Sequence, residues 1–283
     1  MIRYKRVFTG AVCNNRCTFC PNDPQRTPRP IGDILEEVGD PEAEIDSLEL
    51  HGGEPALRSD LDSIAKEARN RGWRRIKLVT NARPLANPQT AFAVLGSGIR
   101  VFEVKLYGHA PQLHEAVTQS EGSLRDTLQG LTNLRRIQPE AGGRPFIGLR
   151  AGVTAANYRY LANLLALAMQ LQADRVTLRL EDPSLSLAEA SPHIKRAIDV
   201  GLVNSLWAQV ERVPLCFMDS YEHHVVEAFA GMREERRRVE ACGRCAYEAC
   251  PGAWPPYLES KGAADFLPVI ESALAGRMEG EAS

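Results

Sequence analysis

The chain has 283 residues, of which 44% are hydrophobic and 25% charged, the composition of an ordinary globular protein. Its formal net charge of −2 gives no basic surplus, which argues against nucleic acid or an anionic membrane surface as a partner. No apolar run approaches the roughly 20 residues that cross a bilayer, and the charged N-terminus lacks the pattern of a signal peptide. We therefore expect a cytoplasmic protein with one large α/β domain, alone or with a small appendage.

Strand-like and helix-like segments alternate along most of the chain. The six predicted strands are residues 6–11, 47–50, 75–80, 101–106, 146–153 and 175–180. Apolar residues recur at helical spacing in the segments between them, at residues 57–71, 88–95, 123–137 and 158–171. This alternation predicts a parallel sheet with right-handed crossovers. Six units are too few for a closed eight-stranded barrel, so the pattern fits an open, partial (β/α)6 barrel of the TIM type.

The alternation stops after Pro183. Beyond it, residues 192–208 look helical, residues 213–216 look extended, and residues 221–239 look like a charged helix. We therefore predict a core at residues 1–183 and a small cysteine-rich C-terminal extension at residues 184–283.

The seven cysteines fall into two groups. One group lies within a single short loop and consists of Cys13, Cys17 and Cys20. The other lies in the last third of the chain and consists of Cys216, Cys242, Cys245 and Cys250. An odd total, in a chain without a secretory signal, argues against a disulfide framework. Three plus four cysteines indicate two metal sites.

The first group suits an iron–sulfur cluster. Three thiolates on one short loop can hold three corners of the cube and leave one iron open, as catalytic zinc sites keep an open position. A zinc site lacking one ligand, or three buried thiols, is the alternative interpretation. The spacing CX3CX2C, with Phe19 before the third cysteine, resembles the signature of radical S-adenosylmethionine (SAM) enzymes. We assign Phe19 to cofactor binding.

The resemblance implies a specific chemistry. In that family, the open iron of the [4Fe–4S] cluster is chelated by the amino and carboxylate groups of SAM. An electron from the cluster breaks the sulfonium C–S bond and releases a 5′-deoxyadenosyl radical, which abstracts hydrogen from a substrate. The electron would come from a reductant such as flavodoxin or ferredoxin.

A second motif, Gly52-Gly53-Glu54-Pro55, follows the second predicted strand. Two glycines let the backbone approach a ligand closely, and a carboxylate suits an ammonium partner. A Gly-Gly turn that opens a helix is the other interpretation. The motif is similar to the family's GGEP sequence, which contacts the amino group of SAM. With both motifs, residues 5–182 are identified as a member of that family, whose fold is a partial barrel.

Three polar residues at or near strand ends complete the predicted cofactor site. Asn81 ends the third strand, where the family usually has glycine after Thr-Asn and this chain has Ala82. Lys105 shares a strand face with Glu103, which indicates either ligand contacts or a buried ion pair. The resemblance gives Arg150 a role at the SAM carboxylate or ribose, since its planar fork suits a carboxylate. A bond from Arg150 to a neighbouring loop is the alternative, and no catalytic residue is assigned.

The second cysteine group resembles the short extensions, called twitch or SPASM-like domains, that hold an auxiliary [4Fe–4S] cluster. Its spacing does not reproduce the full SPASM pattern, so we predict one auxiliary cluster, with structural zinc as the alternative. With Cys216 as fourth ligand the site would be closed, whereas three ligands would leave an iron open to substrate.

Two classes of function remain. The first is a radical SAM enzyme acting on a ribosomally made peptide or, alternatively, a dehydrogenase or biosynthetic enzyme for a cofactor or small molecule. The second is a non-enzymatic iron–sulfur or zinc scaffold, which leaves the intact GGEP sequence without a purpose.

Overall fold

A seven-stranded sheet organises the protein, for which the computed structural model describes residues 2–22, 25–137, 143–230, 235–248, 250 and 252–270. The strands are β1 (Tyr4–Phe8), β2 (Ser47–His51), β3 (Arg75–Thr80), β4 (Val101–Lys105), β5 (Phe146–Val153), β6 (Arg175–Leu180) and β7 (Trp207–Glu211). They lie side by side in sequence order and run parallel. The sheet is open, which confirms the predicted α/β class and the partial barrel.

Helices follow the strands, as expected for parallel crossovers. They are α1 (Ile31–Val38), α2 (Leu61–Asn70), α3 (Pro88–Gly96), α4 (Pro111–Thr118), α5 (Ser123–Arg136), α6 (Leu161–Gln170), α7 (Leu187–Val203), α8 (Val226–Ala230) and α9 (Pro255–Lys261). The sequence analysis did not predict α1 or α4. Both are eight residues long, which is short for a clear helical repeat.

Strands β2, β3 and β4 are buried on both faces. Alternate positions are apolar and almost fully buried, as at Leu48 and Leu78. The intervening positions carry Glu49, Lys77 and Glu103, which are buried as ion pairs across neighbouring strands. Lys77 contacts the carboxylates of both Glu49 and Glu103. Because buried charges require partners, removing one member of this network is expected to destabilise the fold.

The described part of the chain contains one strand more than the six predicted. The predicted helix at residues 192–208 is wrong at both ends, because α7 begins at Leu187 and ends at Val203. Ser186 caps it by accepting a hydrogen bond from the Glu189 N–H at 3.4 Å. Residues 207–211 are strand β7, so the strand–helix alternation continues past residue 183.

Two further predictions beyond residue 211 are wrong. Residues 213–216 are not an extended segment, because Leu215–Phe217 form a short 3-10 turn. The long helix predicted at residues 221–239 is replaced by a 3-10 turn at Glu222–His224 and the short α8. Arg237 instead pairs with Ala253 in an antiparallel bridge. The backbone N–H and carbonyl of Arg237 are both bonded to Ala253 there, so they cannot form the hydrogen bonds of a helix. The part of that prediction at residues 231–234 lies outside the described residues.

The chain divides into two compact units. The first comprises Met1–Arg150 and Leu167–Asp174, and the second comprises Ala151–Ala166 and Arg175–Ser283. The domain boundary at residue 183 stays a prediction. Among the described helices, none is both long and apolar enough to cross a membrane. The expected location in the cytoplasm also stays a prediction.

Candidate active site

The cysteine loop, residues 13–20, is held against the end of α4. The backbone N–H groups of Arg16 and Thr18 donate to the carbonyls of Thr118 and Val117, at 2.8 and 2.9 Å. These carbonyls lie in the last turn of α4, where carbonyl groups have no N–H donor within the helix. The thiols differ in exposure, being half-buried at Cys13 and Cys17 and exposed at Cys20.

Two arginines that the sequence analysis missed clamp this loop. The guanidinium of Arg26 donates to the carbonyls of Cys13 and Asn15. Arg83 donates to the carbonyl of Asn14 at 2.6 Å and to the Asn15 side chain at 2.8 Å. These hydrogen bonds from the two arginine side chains hold the backbone of the cysteine loop in one conformation. Arg83 reaches the loop from the end of β3, whereas Arg26 follows shortly after the loop in the sequence, and no local sequence signal marks either arginine.

The two glycines of the GGEP sequence lie directly beneath the chain that leads into the cysteine loop. Gly53 N–H donates to Gly10 O at 2.8 Å, and Glu54 N–H donates to Val12 O at 2.7 Å. A Cβ atom on Gly52 would lie 2.3 Å from Gly10 O, and one on Gly53 would lie 2.3 Å from Val12 O. Only glycine fits at both positions, because the two backbones touch.

The Glu54 carboxylate is buried and only 2% of the residue is exposed. It accepts hydrogen bonds from Ala56 N–H at 3.0 Å, Thr80 Oγ1–H at 2.6 Å and Asn81 N–H at 2.5 Å. Burial raises the pKa of Glu54, and these three hydrogen bonds oppose that shift. Pro55 follows as the first residue of a 3-10 turn, Pro55–Leu57, so the motif does not open a helix directly. The expected contact of Glu54 with SAM stays a prediction.

Asn81 links the end of β3 to the cysteine loop. Its Nδ2 donates to Asn14 Oδ1 at 2.7 Å and lies 3.8 Å from Cys13 Sγ, within hydrogen-bond distance for sulfur. The next residue, Ala82, has a left-handed backbone with φ of 60°. This conformation costs an alanine roughly 1–2 kcal/mol. It explains why glycine suits the position, and the Ala82 N–H bond to Thr80 Oγ1 at 2.9 Å helps to hold it.

Lys105, the last residue of β4, and Arg150, in the middle of β5, are neighbours in register. Arg150 Nε lies 2.8 Å from Glu103 Oε1, so Glu103 pairs with Arg150 and Lys77. Lys105 forms no ion pair within 4.0 Å with any carboxylate that the structure describes. Burial raises the pKa of Cys17 to about 11, and the charge of Lys105 opposes that rise. The positive charge of Lys105 therefore favours the thiolate form of Cys17.

Three sulfur donors on one clamped loop fit an iron–sulfur cluster with one open iron. Buried thiols with raised pKa values stay protonated in water, and bound iron supplies the positive charge that deprotonates them. Phe19, beside the exposed Cys20, is itself 38% exposed at the edge of the loop. The sequence profile of the radical SAM superfamily matches residues 7–164, which contain this entire site.

The chain belongs to the radical SAM superfamily.

Several proteins resemble this radical SAM chain over part of their length. A probable GTP 3′,8-cyclase of Metallosphaera sedula is 33% identical over 41% of this chain and 38% of its own. One from Sulfurisphaera tokodaii is 28% identical over 61% of this chain and 54% of its own. The chain thus spans about half the length, or less, of these curated relatives. Streptococcus suis SuiB, solved bound to S-adenosylmethionine, shares the fold with a TM-score of 0.53 at 14% identity, over 72% of this chain and 46% of SuiB.

The second compact unit of the radical SAM chain contains the other four cysteines. All four line one pocket: Cys216, Cys242, Cys245 and Cys250. Burial raises the pKa of Cys216 to about 12, and the neighbouring thiols add to the rise. Tyr247 and Phe266 line the same pocket and are almost fully buried. Among the described side chains, no three from His, Cys, Asp and Glu form a ready-made site for a metal ion.

The fold explains how distant cysteines reach one pocket. Cys216 lies in the 3-10 turn after β7, and Cys242 lies in another turn, Glu240–Arg244. The antiparallel bridge between Arg237 and Ala253 closes the intervening segment. Gly252 is required there, because its φ is +93° and a Cβ would lie 2.6 Å from Arg237 O.

Proposed function

We propose that this protein is a radical SAM enzyme whose [4Fe–4S] cluster is held by Cys13, Cys17 and Cys20. The observation that carries the proposal is the three-thiol loop, clamped by protein contacts and set next to the GGEP backbone. When bound, the cluster supplies an electron that cleaves SAM and gives a 5′-deoxyadenosyl radical, which takes hydrogen from a substrate. The electron is proposed to come from a reductant such as flavodoxin or ferredoxin.

The proposed roles of the other residues follow from their chemistry. We propose that the backbone of the GGEP sequence meets the amino group of SAM, as the family resemblance implies, because two glycines let a ligand approach the chain closely. Lys105 and Arg150 lie side by side and suit a carboxylate. Phe19 offers an apolar surface at the rim of the loop.

The test is anaerobic incubation of the reconstituted protein with SAM and dithionite. We expect 5′-deoxyadenosine in the wild type and none in Cys17→Ala, which removes one ligand of the N-terminal cluster. The matched control is Cys245→Ala, which removes a thiol from the other group and should still cleave SAM. If wild type makes no 5′-deoxyadenosine while holding a full cluster, the non-enzymatic scaffold becomes the better interpretation.

For the substrate, we propose a small molecule and test a nucleotide first. The relatives that match by sequence carry the name GTP 3′,8-cyclase. SuiB has also been solved bound to its precursor peptide SuiA, but at 13% identity the likeness is one of fold, so it gives weaker support to a ribosomally made peptide. Incubation with GTP, SAM and dithionite should consume GTP, as followed by mass spectrometry. Formation of 5′-deoxyadenosine with GTP left intact would contradict the nucleotide.

We also propose an auxiliary [4Fe–4S] cluster in the second unit, with Cys216 as its fourth ligand. The support is that all four thiols line one pocket. The triple variant Cys13/Cys17/Cys20→Ala should retain about four irons and four sulfides per chain. Zinc instead of iron, or no bound metal, would remove this proposal and leave the N-terminal cluster unaffected. Loss of iron from the same variant on adding Cys216→Ala would support the fourth ligand.

A further inference from the structure

The side chain of Glu54 is directed into the protein rather than toward an open space. Its Oε1 accepts from Ala56 N–H and Thr80 Oγ1–H, and its Oε2 accepts from Asn81 N–H. A carboxylate has about four acceptor sites, so three of them are already used. No described basic side chain lies within ion-pair distance of it. The carboxylate therefore binds protein groups at the end of β3 and in the turn that follows Glu54.

One of these hydrogen bonds holds the backbone N–H of Asn81, whose side chain in turn contacts the cysteine loop. Its backbone carbonyl accepts from Thr127 Oγ1–H at 2.9 Å, and its Oδ1 accepts from Arg83 N–H at 2.9 Å. With both ends held, the amide nitrogen is directed at Asn14 Oδ1, 2.7 Å away, and Cys13 Sγ, 3.8 Å away. A continuous set of contacts thus connects Glu54, through Asn81, to the sulfur of Cys13.

We propose that Glu54 is a positioning residue, which acts through Asn81 on Cys13 and not only through contact with SAM. The inference rests on the proposed function, because it requires Cys13 to be a cluster ligand. Hydrogen bonds to ligand sulfur stabilise the more negative, reduced cluster and raise its reduction potential. Removing the Asn81 amide, or releasing it by changing Glu54, therefore lowers the potential of the N-terminal cluster.

The deciding measurement is the midpoint potential of that cluster in the absence of SAM. It is followed by electron paramagnetic resonance in the full-length reconstituted protein, and the N-terminal signal is identified as the one that added SAM changes. At a fixed applied potential, the ratio of reduced to oxidised cluster should be about tenfold lower in Asn81→Ala than in the wild type. This corresponds to a midpoint potential lower by about 59 mV for one electron. Asn87→Ala is the matched control, because Asn87 only caps α3 by accepting from Gln89 N–H at 2.9 Å.

Glu54→Gln separates the two roles of Glu54. The amide orientation that keeps two of the three donors paired, Ala56 N–H and Thr80 Oγ1–H, turns its NH2 toward the Asn81 N–H, so Asn81 is released. The SAM-free potential should then fall as in Asn81→Ala, whereas loss of the carboxylate charge by itself would raise it. If Glu54 only binds SAM, Glu54→Gln should weaken the affinity for SAM without lowering the midpoint potential of the SAM-free cluster. That result would overturn the inference. If Glu54→Gln does not fold, Glu54→Asp keeps the buried carboxylate but withdraws it from the Asn81 N–H by one methylene, and the SAM-free potential should again fall.

Failure of the proposed function gives a different result. In that case the wild type shows no [4Fe–4S] signal that responds to SAM, and the inference falls with it. A normal wild-type signal, together with unchanged potentials in Asn81→Ala and Glu54→Gln, would overturn the positioning role alone.

Discussion

Substitution of Gly53 by alanine tests the close contact between the GGEP backbone and the cysteine loop. The added Cβ would lie 2.3 Å from Val12 O and 2.4 Å from Ala11 O, well inside the roughly 3.5 Å of ordinary contact. Both obstacles are backbone atoms, so neither can rotate away. The two chain segments must separate by about 1 Å, which is enough to break the hydrogen bonds of 2.8 and 2.7 Å between them.

The size of the effect follows from those bonds. Each hydrogen bond contributes about 1 kcal/mol net, and a buried group left without a partner costs about 1–3 kcal/mol. We therefore expect Gly53→Ala to lower the free energy of unfolding by about 3 kcal/mol. In urea, this is a fall in the midpoint of about 1 M or more. The metal-free protein is used, so that cluster loss does not add to the change.

Gly32→Ala is the matched control for this substitution. Gly32 is exposed in the first turn of α1, and an added Cβ would meet nothing within 4 Å. Alanine there should leave stability unchanged or raise it by up to about 1 kcal/mol. Iron content after reconstitution gives a second readout, because a displaced loop should load less iron in Gly53→Ala. A wild-type urea midpoint and full iron loading in Gly53→Ala would refute the close contact.

Three further predictions concern buried charges in the first unit. Lys77→Met should destabilise the protein by about 3 kcal/mol, the lower end for a broken buried pair, because Arg6 and Arg150 still face the two carboxylates. Burial raises the pKa of Glu49, but Lys77 outweighs it and brings the pKa to about 2. Unfolding free energy should therefore fall as pH drops from 4.5 toward 2, and less steeply in Glu49→Gln. Burial lowers the pKa of His114 to about 4, so its ring should titrate near pH 4 by NMR and destabilise the fold between pH 6.5 and 4.

Each of these predictions has a clear contrary result. Lys66→Met breaks an exposed pair with Asp62, worth less than about 1 kcal/mol, and an equal loss in Lys77→Met would contradict the buried network. Identical acid unfolding curves for wild type and Glu49→Gln would show that Glu49 has an ordinary pKa. A His114 midpoint near 6.5 would show that its ring reaches water.

The sequence by itself predicted the family and the open α/β fold, and both predictions are confirmed. The family could be predicted because the three thiols and the GGEP residues each lie within a short stretch of sequence, where their resemblance to a family signature can be recognised. The chemistry of the N-terminal loop stays a prediction. Strand β3 was predicted with its observed boundaries, because its buried β-branched run lies between clear helices. Helices α1 and α4 were missed because eight residues carry too few repeats to show a helical period. Strand β7 was missed because its first residues were assigned to the helix predicted at residues 192–208.

The tertiary structure decided which distant groups meet. Lys105 and Glu103 share a strand face, yet Glu103 pairs with Lys77 and Arg150, because neighbouring strands bring those side chains closer. Arg26 and Arg83 clamp the cysteine loop from elsewhere in the first unit, and Cys216 reaches the pocket of the other thiols through turns in the second. These contacts depend on strand register and on the paths of connecting loops. Neither is encoded in the spacing of adjacent residues, so only the folded chain reveals them.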